Sequence, residues 1–544
     1  MENKNVVYVR DFTSTLSQDS AAGICKAIKH AIDIKAEKVV FEPGRYILKN
    51  FTNIETEGIF HDAGSKTANR KDCHIPVANC KNLVLEGAVD ENGEPSTVLV
   101  GYNDGVIHSF LPAILWCEDC ENLTVKNIAF TREPVYCSAG EIISKTDTSI
   151  TVEVFEGNEC YDGMGTHCMN RFDPITGALK GESVTYGPGA GTNWKHIGGR
   201  KLFLESEKVA AKVSVGEYLS WHQGAQTDFQ TYFGRCNNLK LDNIRVFNSN
   251  GFCMIAECCC NITARKVVFK PDGNRLFTCP RDAWKLFKCS GYIEIDGMYV
   301  QGVRMDGQNM HSNWLFFKEK ISANEAVFYC KYTYSPIIEG SLIEFYDKDE
   351  VVKIPVLKSF HEGKGDGGNY YRVVLEKEIP GFVNTETFCA AACWEPERYL
   401  CRNSEFVNIA GAGHLVRNDN LTILNCKYRN MMNPGILLGA ELPTHAEGGH
   451  ATNILIKWCE FDNCGFYPRY STAGCVGINS AGFRGPHNKN IIITDNIFKN
   501  SDIGVHVIDA QNVYILNNTF ENIKEKIVID RETTKSIFMD GSYV

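Results

Sequence analysis

Proline is scarce and long apolar runs are missing. Only 17 of 544 residues are proline, against 47 glycines. That balance suits many tight turns between short strands and does not suit a disordered chain. No stretch approaches the roughly 20 apolar residues that a bilayer-spanning helix needs, so no membrane partner is expected. Positive charge is also short. Lys and Arg number 56 against 66 Asp and Glu, for a net charge of −10. Nucleic acids and anionic membranes reward clustered Lys and Arg, so neither is an expected partner. A neutral or cationic ligand meets no such obstacle. Met1 to Arg10 is polar and runs straight into a strand-like VVYV. No basic stretch followed by an apolar core is read there, and the expected location is the cytoplasm.

The 23 cysteines fit that location. Many sit inside apolar runs (Cys253, Cys258, Cys259, Cys260, Cys393), where a free thiol acts as a small hydrophobe. Cys117 and Cys120 form a CxxC, but no second pair follows at zinc-ribbon spacing. Cys258, Cys259 and Cys260 cannot all face one way on a strand, because side chains alternate. Packing cysteines are expected, with no metal and no cofactor.

A short pattern then recurs: Asn, alternating aliphatics, Asn/Asp/Gly, and a second β-rich pair. It reads CKNLVLEG from Cys80, CENLTVKNIAF from Cys120, CNNLKLDNIRVF from Cys236 and CNITARKVVF from Cys260. It continues as SGYIEIDGMYV from Ser290, NDNLTILNCKYRN from Asn418, ATNILIKWCEF from Ala451, NKNIIITDNIF from Asn488 and AQNVYILNNTF from Ala510. Uninterrupted copies are spaced about 22–24 residues, the length of one solenoid coil. Each copy is two short strands that cannot bury their own apolar face, whereas stacked copies can. Asn at the same turn in successive copies predicts a ladder of side-chain amides. The leucine-rich LxxLxL signature is absent, and helical periodicity is scarce. The expected fold is all-β: a right-handed parallel β-helix, a pectate-lyase-like solenoid.

An amphipathic helix is expected from about Ser20 to Ile34, capping the first coil. Two stretches break the repeat, and both carry alternating β-patterns punctuated by Gly and Asp. They divide the chain into a cap with first coils (1–137), an insertion (138–223), central coils (224–318), a second insertion (319–396) and C-terminal coils (397–544). Both insertions are expected to be small β-barrels walling a cleft.

Cutting a glycosidic bond usually takes two carboxyls, and neighbouring coils of a β-helix can present both on one face. Asp282, in LFTCPRDAWKLFKC, and Asp306, in GVRMDGQNMH, lie one coil apart in polar breaks between apolar strands. The plainer role for any single Asp here is to cap a turn. The pair stands out because its surroundings differ from the Asn turns elsewhere. Arg281, Trp284, Lys285 and Arg304 flank it with groups suited to hydroxyl bonding and sugar stacking, though each also suits ordinary surface. Strand alternation puts Asn309 and His311 on one side.

The segment NRLFTCPRDAWKLFKCSGYIEIDGMYVQGVRMDGQNMH resembles the active-site coils of glycoside hydrolase family 110, the α-1,3-galactosidases with a β-helix fold. The resemblance extends to the order of parts and is residue-specific from about Cys236 to His311. It implies exo-acting, inverting removal of a terminal α-galactose without a metal. By this likeness Asp282 matches the general acid, Asp306 one member of a paired Asp base, and Asn309 and His311 an Asn and a His. The chain departs from the pattern at Met305, where the family has the first base Asp, and at Lys285, where a His usually stands. One carboxylate can still activate a water. The departures open the choice of sugar.

The loop ELPTHAEGGH, with Glu441, His445, Glu447 and His450, is expected to line the same cleft. His445 and His450 are not at HExxH spacing, so no metal is read there. Arg402, His414 and Arg417 are candidates for the next coil's wall, or for core and ion-pair roles. TYGPGAGTNW from Thr185 lacks the GKS/T of a phosphate loop and reads as a flexible loop. The leading function is a hydrolase acting on a small carbohydrate. The alternatives are a polysaccharide lyase using Lys285 or Arg304 as base, and a catalytically altered carbohydrate-binding solenoid. Self-association into a homo-oligomer is left open.

Overall fold

The computed structural model describes residues 5–53, 72–102, 111–186, 189–224, 229–331, 334–348, 350–443, 445–468, 473–483, 485–540 and 542–543. Thirty-four strands join in one sheet system wound as a solenoid. Its register resolves into three parallel faces. The first begins with Val6–Tyr8, Lys38–Val40, Val84–Glu86 and Thr124–Lys126 and ends with Lys535–Met539. The second begins with Gly44–Leu48, Thr97–Tyr102 and Ile128–Glu133 and ends in Thr519–Ile529. The third stacks Asp72–Ala78, Ala113–Glu118, Phe229–Gly234, Phe252–Glu257, Trp284–Phe287, Gln308–Asn313, His414–Arg417 and Ile436–Leu438. The expected parallel β-helix is present.

Asparagine explains why the chain turns where it does. Asn82, Asn122 and Asn238 sit in left-handed backbone, φ 55°, 55° and 57°, a conformation that costs Asn less than other side-chain-bearing residues. Asn122 donates to the Asn82 side-chain oxygen at 2.8 Å, and Asn238 donates to that of Asn122 at 2.9 Å. Asn453, Asn490 and Asn512 continue the device in later coils.

Inside, like side chains stack on one another from coil to coil. Phe406, Tyr428, Phe461, Phe498 and Phe520 form a column with ring centroids 4.8–5.1 Å apart. Cys80, Cys120, Cys236, Cys259 and Cys289 form another. The thiols of its last four members point at carbonyls of the preceding coil, 3.3–3.8 Å away. All 23 cysteines are free, as packing cysteines should be.

The helix Ala21–Asp33 buries Ala21, Ile24, Ala27, Ile28 and Ala31 in the same core as Val7 and Val39. Among the described residues no helix is long and apolar enough to cross a membrane.

The two insertions differ. The first runs from Cys137–Lys145 to Tyr218–His222 as a seven-stranded antiparallel sheet. It is open, which corrects the expectation of a barrel. Its edge strands, Leu179–Lys180 and Lys195–His196, are two residues each, too short for the edges to meet and close. The second insertion is a closed six-stranded barrel from Leu315–Ser322 to Phe388–Ala391, with Phe328, Ile343, Phe345 and Val373 in its core.

Candidate functional site

Asp282 and Asp306 each stand two residues before a third-face strand, at the corner where the second face turns into the third. The parallel register fixes what surrounds them. Lys285 pairs with Asn309, and Phe287 with His311 and then Arg417. These residues share one outward face. The alternate set, Trp284, Leu286, Met310 and Val416, points into the main core. Trp284 is therefore not a sugar-stacking surface: it is fully buried in the apolar interior. Side-chain alternation beside outward Lys285 requires this.

The two carboxyls are 3% and 8% exposed. Asp282 accepts from the Asp306 backbone N–H at 3.3 Å and from Asn309 Nδ2 at 3.2 Å. Asp306 Oδ1 in turn accepts from the Ala412 N–H at 2.8 Å. Each carboxyl thus leans on the coil that follows it, and both act partly as turn caps. Around them lie buried polar atoms with no hydrogen-bond partner among the described residues: Asn309 Oδ1, His311 Nε2 and Arg281 Nε. The Arg281 guanidinium itself lies over Phe252, 4.8 Å from the ring centroid.

Arg304 corrects a second expectation. Fully buried, it donates to Ser183 Oγ at 3.0 Å and to the Thr185 carbonyl at 2.6 Å. Instead of meeting solvent, it ties the first insertion to the corner. Beside it the Tyr186 hydroxyl donates to the Met305 sulfur at 3.0 Å. The start of the TYGPGAGTNW segment is therefore anchored rather than flexible; Gly187 and Pro188 lie outside the described residues.

The loop after Ile436–Leu438 folds back over this face. Glu447–Gly448 pairs antiparallel with Ser312 and Asn313. Glu447 ion-pairs with Arg417 at 2.7 Å and faces His311 Nε2 at 3.5 Å and Lys285 Nζ at 3.9 Å. Burial works against the Glu447 charge, yet its cationic neighbours hold its carboxyl well below the usual range. Burial pushes His311 down to about 3, so it is neutral at pH 7. The counterions of Glu447 there are Arg417 and Lys285. His311 Nδ1 donates to the Ser312 carbonyl at 2.7 Å, which leaves Nε2 as a lone pair facing the site. Burial also lowers His445, whose backbone N–H donates to Glu441 at 2.9 Å.

Other sequence candidates go elsewhere. His450 packs among Trp314, Tyr346 and Phe483. Arg402 pairs with Glu294 and Asp296 on the first face. His414 points inward between the Tyr399 and Tyr428 hydroxyls. Among the described residues no three His, Cys, Asp or Glu side chains are grouped to hold a metal. Sequence reasoning missed a carboxyl cluster behind Ser312. Glu395 accepts from the Ser312 hydroxyl at 3.4 Å and from the Asp419 N–H at 3.3 Å. Burial raises Glu395 well above the carboxylate range, and burial with nearby Glu344 raises Asp419 to about 7. The only sequence signal was charge at the return from the barrel, in WEPERY.

Comparison with known proteins agrees on the fold at its C-terminal end. A family model described as "Right handed beta helix region" matches residues 390–541. Over 313 residues the chain is 22% identical to alpha-1,3-galactosidase B of Phocaeicola vulgatus. The match covers 52% of each, so the chain spans about half the length of that curated relative. Among solved structures, the A-module of the mannuronan C-5 epimerase AlgE6 of Azotobacter vinelandii is 10% identical with a TM-score of 0.46, covering 98% of this chain and 99% of that one. The catalytic unit of a GH87 alpha-1,3-glucanase from Streptomyces thermodiastaticus is 9% identical with a TM-score of 0.45, covering 100% of this chain and 69% of that one. The family-model match and the register described above both give a β-helix.

Proposed function

We propose that the chain is a glycoside hydrolase that removes a terminal sugar from an oligosaccharide or glycoside, with inversion. The observation that carries this reading is the corner itself. Two carboxyls from successive coils stand at equivalent positions, beside buried polar atoms left unpaired. An unpaired buried polar atom costs about 1–3 kcal/mol, so a site that keeps several is built for a polar ligand or water. The sequence-level likeness to an alpha-1,3-galactosidase supports the same reaction class, and an α-linked galactosyl-type sugar is the first substrate to test.

In this reading Asp282 protonates the leaving oxygen as the glycosidic C–O bond breaks. Asp306 takes a proton from the water that attacks the opposite face of the sugar. Met305 supplies no second base; its sulfur accepts from Tyr186. Asn309 and His311 orient the sugar hydroxyls. The elimination reading is weaker, because Arg304 is committed to Ser183 and Thr185 and Lys285 faces Glu447.

The test is a screen of α- and β-linked aryl glycosides, followed by Asp282→Asn and Asp306→Asn. Each substitution is expected to lower turnover by roughly 10²–10⁴-fold, the share of a general acid or base, without loss of fold. Near-normal rates in either variant overturn the assignment. NMR of the first-formed anomer tests the stereochemistry. Coils stack about 4.8 Å apart, so inversion needs the two carboxyls splayed to roughly 6.5–9.5 Å, whereas retention needs only about 5–5.5 Å. A retained anomer would make Asp306 a nucleophile.

A further inference from the structure

A separate concavity lies along the turns that leave the second face in earlier coils. It measures about 430 Å³, within the range of small-ligand sites. Three arginines, Arg45, Arg132 and Arg275, line it together with three acidic residues, Glu133, Glu159 and Asp272. None of these belongs to the constellation around Asp282. The groups are held in place. Arg132 is 1% exposed and donates to the Pro112 carbonyl at 2.7 Å. Arg45 ion-pairs with Glu133. Arg275 donates to the Gly157 carbonyl of the first insertion at 2.9 Å. Its Nε is buried and has no partner among the described residues. The Asp272 backbone N–H donates to Asn248 at 3.1 Å.

The balance of charge selects the ligand. A lining that carries both signs favours neither an anion nor a cation. A hydroxyl both donates and accepts, so a mixed lining of this kind suits an uncharged polyol. Tyr102 adds an aromatic ring, 36% exposed, with Lys49 held 4.9 Å from its centroid. The face of that ring opposite Lys49 can take the apolar C–H face of a sugar. We infer that this cavity is a second carbohydrate-binding site, taking an uncharged disaccharide-sized portion of a glycan away from the reacting carboxyls. The inference rests on the hydrolase reading only in expecting glycans as ligands.

The test uses the full chain carrying Asp282→Asn, to suppress turnover. It is titrated calorimetrically with α-1,3-galactobiose, maltose and lactose, and with glucuronic acid and glucosamine as charged controls. At least one neutral disaccharide should bind. Tyr102→Ala and Arg275→Met should each weaken that binding about tenfold, near the upper worth of one aromatic contact and the lower worth of one hydrogen bond to a charged group. In the otherwise wild-type chain both should leave melting temperature and aryl-glycoside turnover unchanged. Absence of binding by all three disaccharides overturns the inference. So does binding indifferent to both substitutions, or preference for a charged control. If Tyr102-dependent binding is found but no glycoside is cleaved, the cavity stands and the hydrolase reading falls. If glycosides are cleaved without such binding, the hydrolase reading stands and the second site falls.

Discussion

Replacing Arg417 with Met isolates the buried charge balance that holds the returning loop onto the third face. The guanidinium donates to Glu447 at 2.7 Å and to the Gly439 carbonyl at 2.7 Å. Removing one partner of a buried ion pair typically costs about 3–5 kcal/mol. Lys285 remains at 3.9 Å, which places the expected cost at the lower end, about 3 kcal/mol. For 544 residues, an unfolding entropy of about 2.1 cal/mol/K per residue gives about 1.1 kcal/mol/K. If the whole chain melts together, that cost lowers the melting temperature by about 3 °C. A solenoid opens locally first, so amide exchange over 441–450 is the sharper assay, expected to quicken about 100-fold. The acid limb has a definite sign. Glu447 is held low in the native state, so its contribution is present above the ordinary carboxylate value of about 4.3 and is lost as pH falls through the lower native value. The difference between wild type and variant should therefore shrink in strong acid. Adding Glu447→Gln to Arg417→Met should recover part of the loss, since buried Lys285 then gives up its counterion. A cost below about 1 kcal/mol, the range of an exposed pair, or no recovery in the double variant, refutes the reasoning.

Two buried groups should give opposite pH slopes to stability. His311 is pushed down to about 3, so stability is lost as pH falls from its ordinary value of about 6.5 toward 3; urea unfolding of His311→Gln across that window should show a shallower slope, the remainder coming from buried His74, His222 and His450. Asp419 is raised to about 7, so its contribution is full below about 3.9 and is lost as pH rises through 7; Asp419→Asn should flatten that fall, and an unchanged profile would count against it. In the native protein a thiol reagent should reach no more than the five part-exposed cysteines, Cys25, Cys160, Cys258, Cys260 and Cys393, and all 23 after denaturation. Rapid native reaction of the buried set would contradict the packing described for the core.

The coils are legible in the sequence because their cause is local. Alternating aliphatics bury one side of a strand, and Asn tolerates the left-handed turn that ends it, so the ladder from Asn82 through Asn238 can be read from spacing alone. Trp284 departs from its expected role because residue type is a weaker guide than alternation: with Lys285 outward, its neighbour must face the core. Arg304 could not be placed, since its partners Ser183 and Thr185 come from an insertion whose docking the sequence does not encode locally. The arrival of Glu447 beside His311 likewise depends on a loop folding back across the third face. The open first insertion differs from the barrel expected because closure depends on edge length, which alternation does not report.

The cysteine column has a mechanical consequence. Neighbouring coils lie about 4.8 Å apart, inside the 4.4–6.8 Å that a disulfide spans between Cα atoms. Adjacent members of the series from Cys80 to Cys289 are thus close enough for an oxidant to join them in pairs. A series of five accepts at most two such links and always strands one thiol. Oxidation would therefore split one packed interior into several cross-linked isomers, and the column is uniform only while its sulfurs stay reduced.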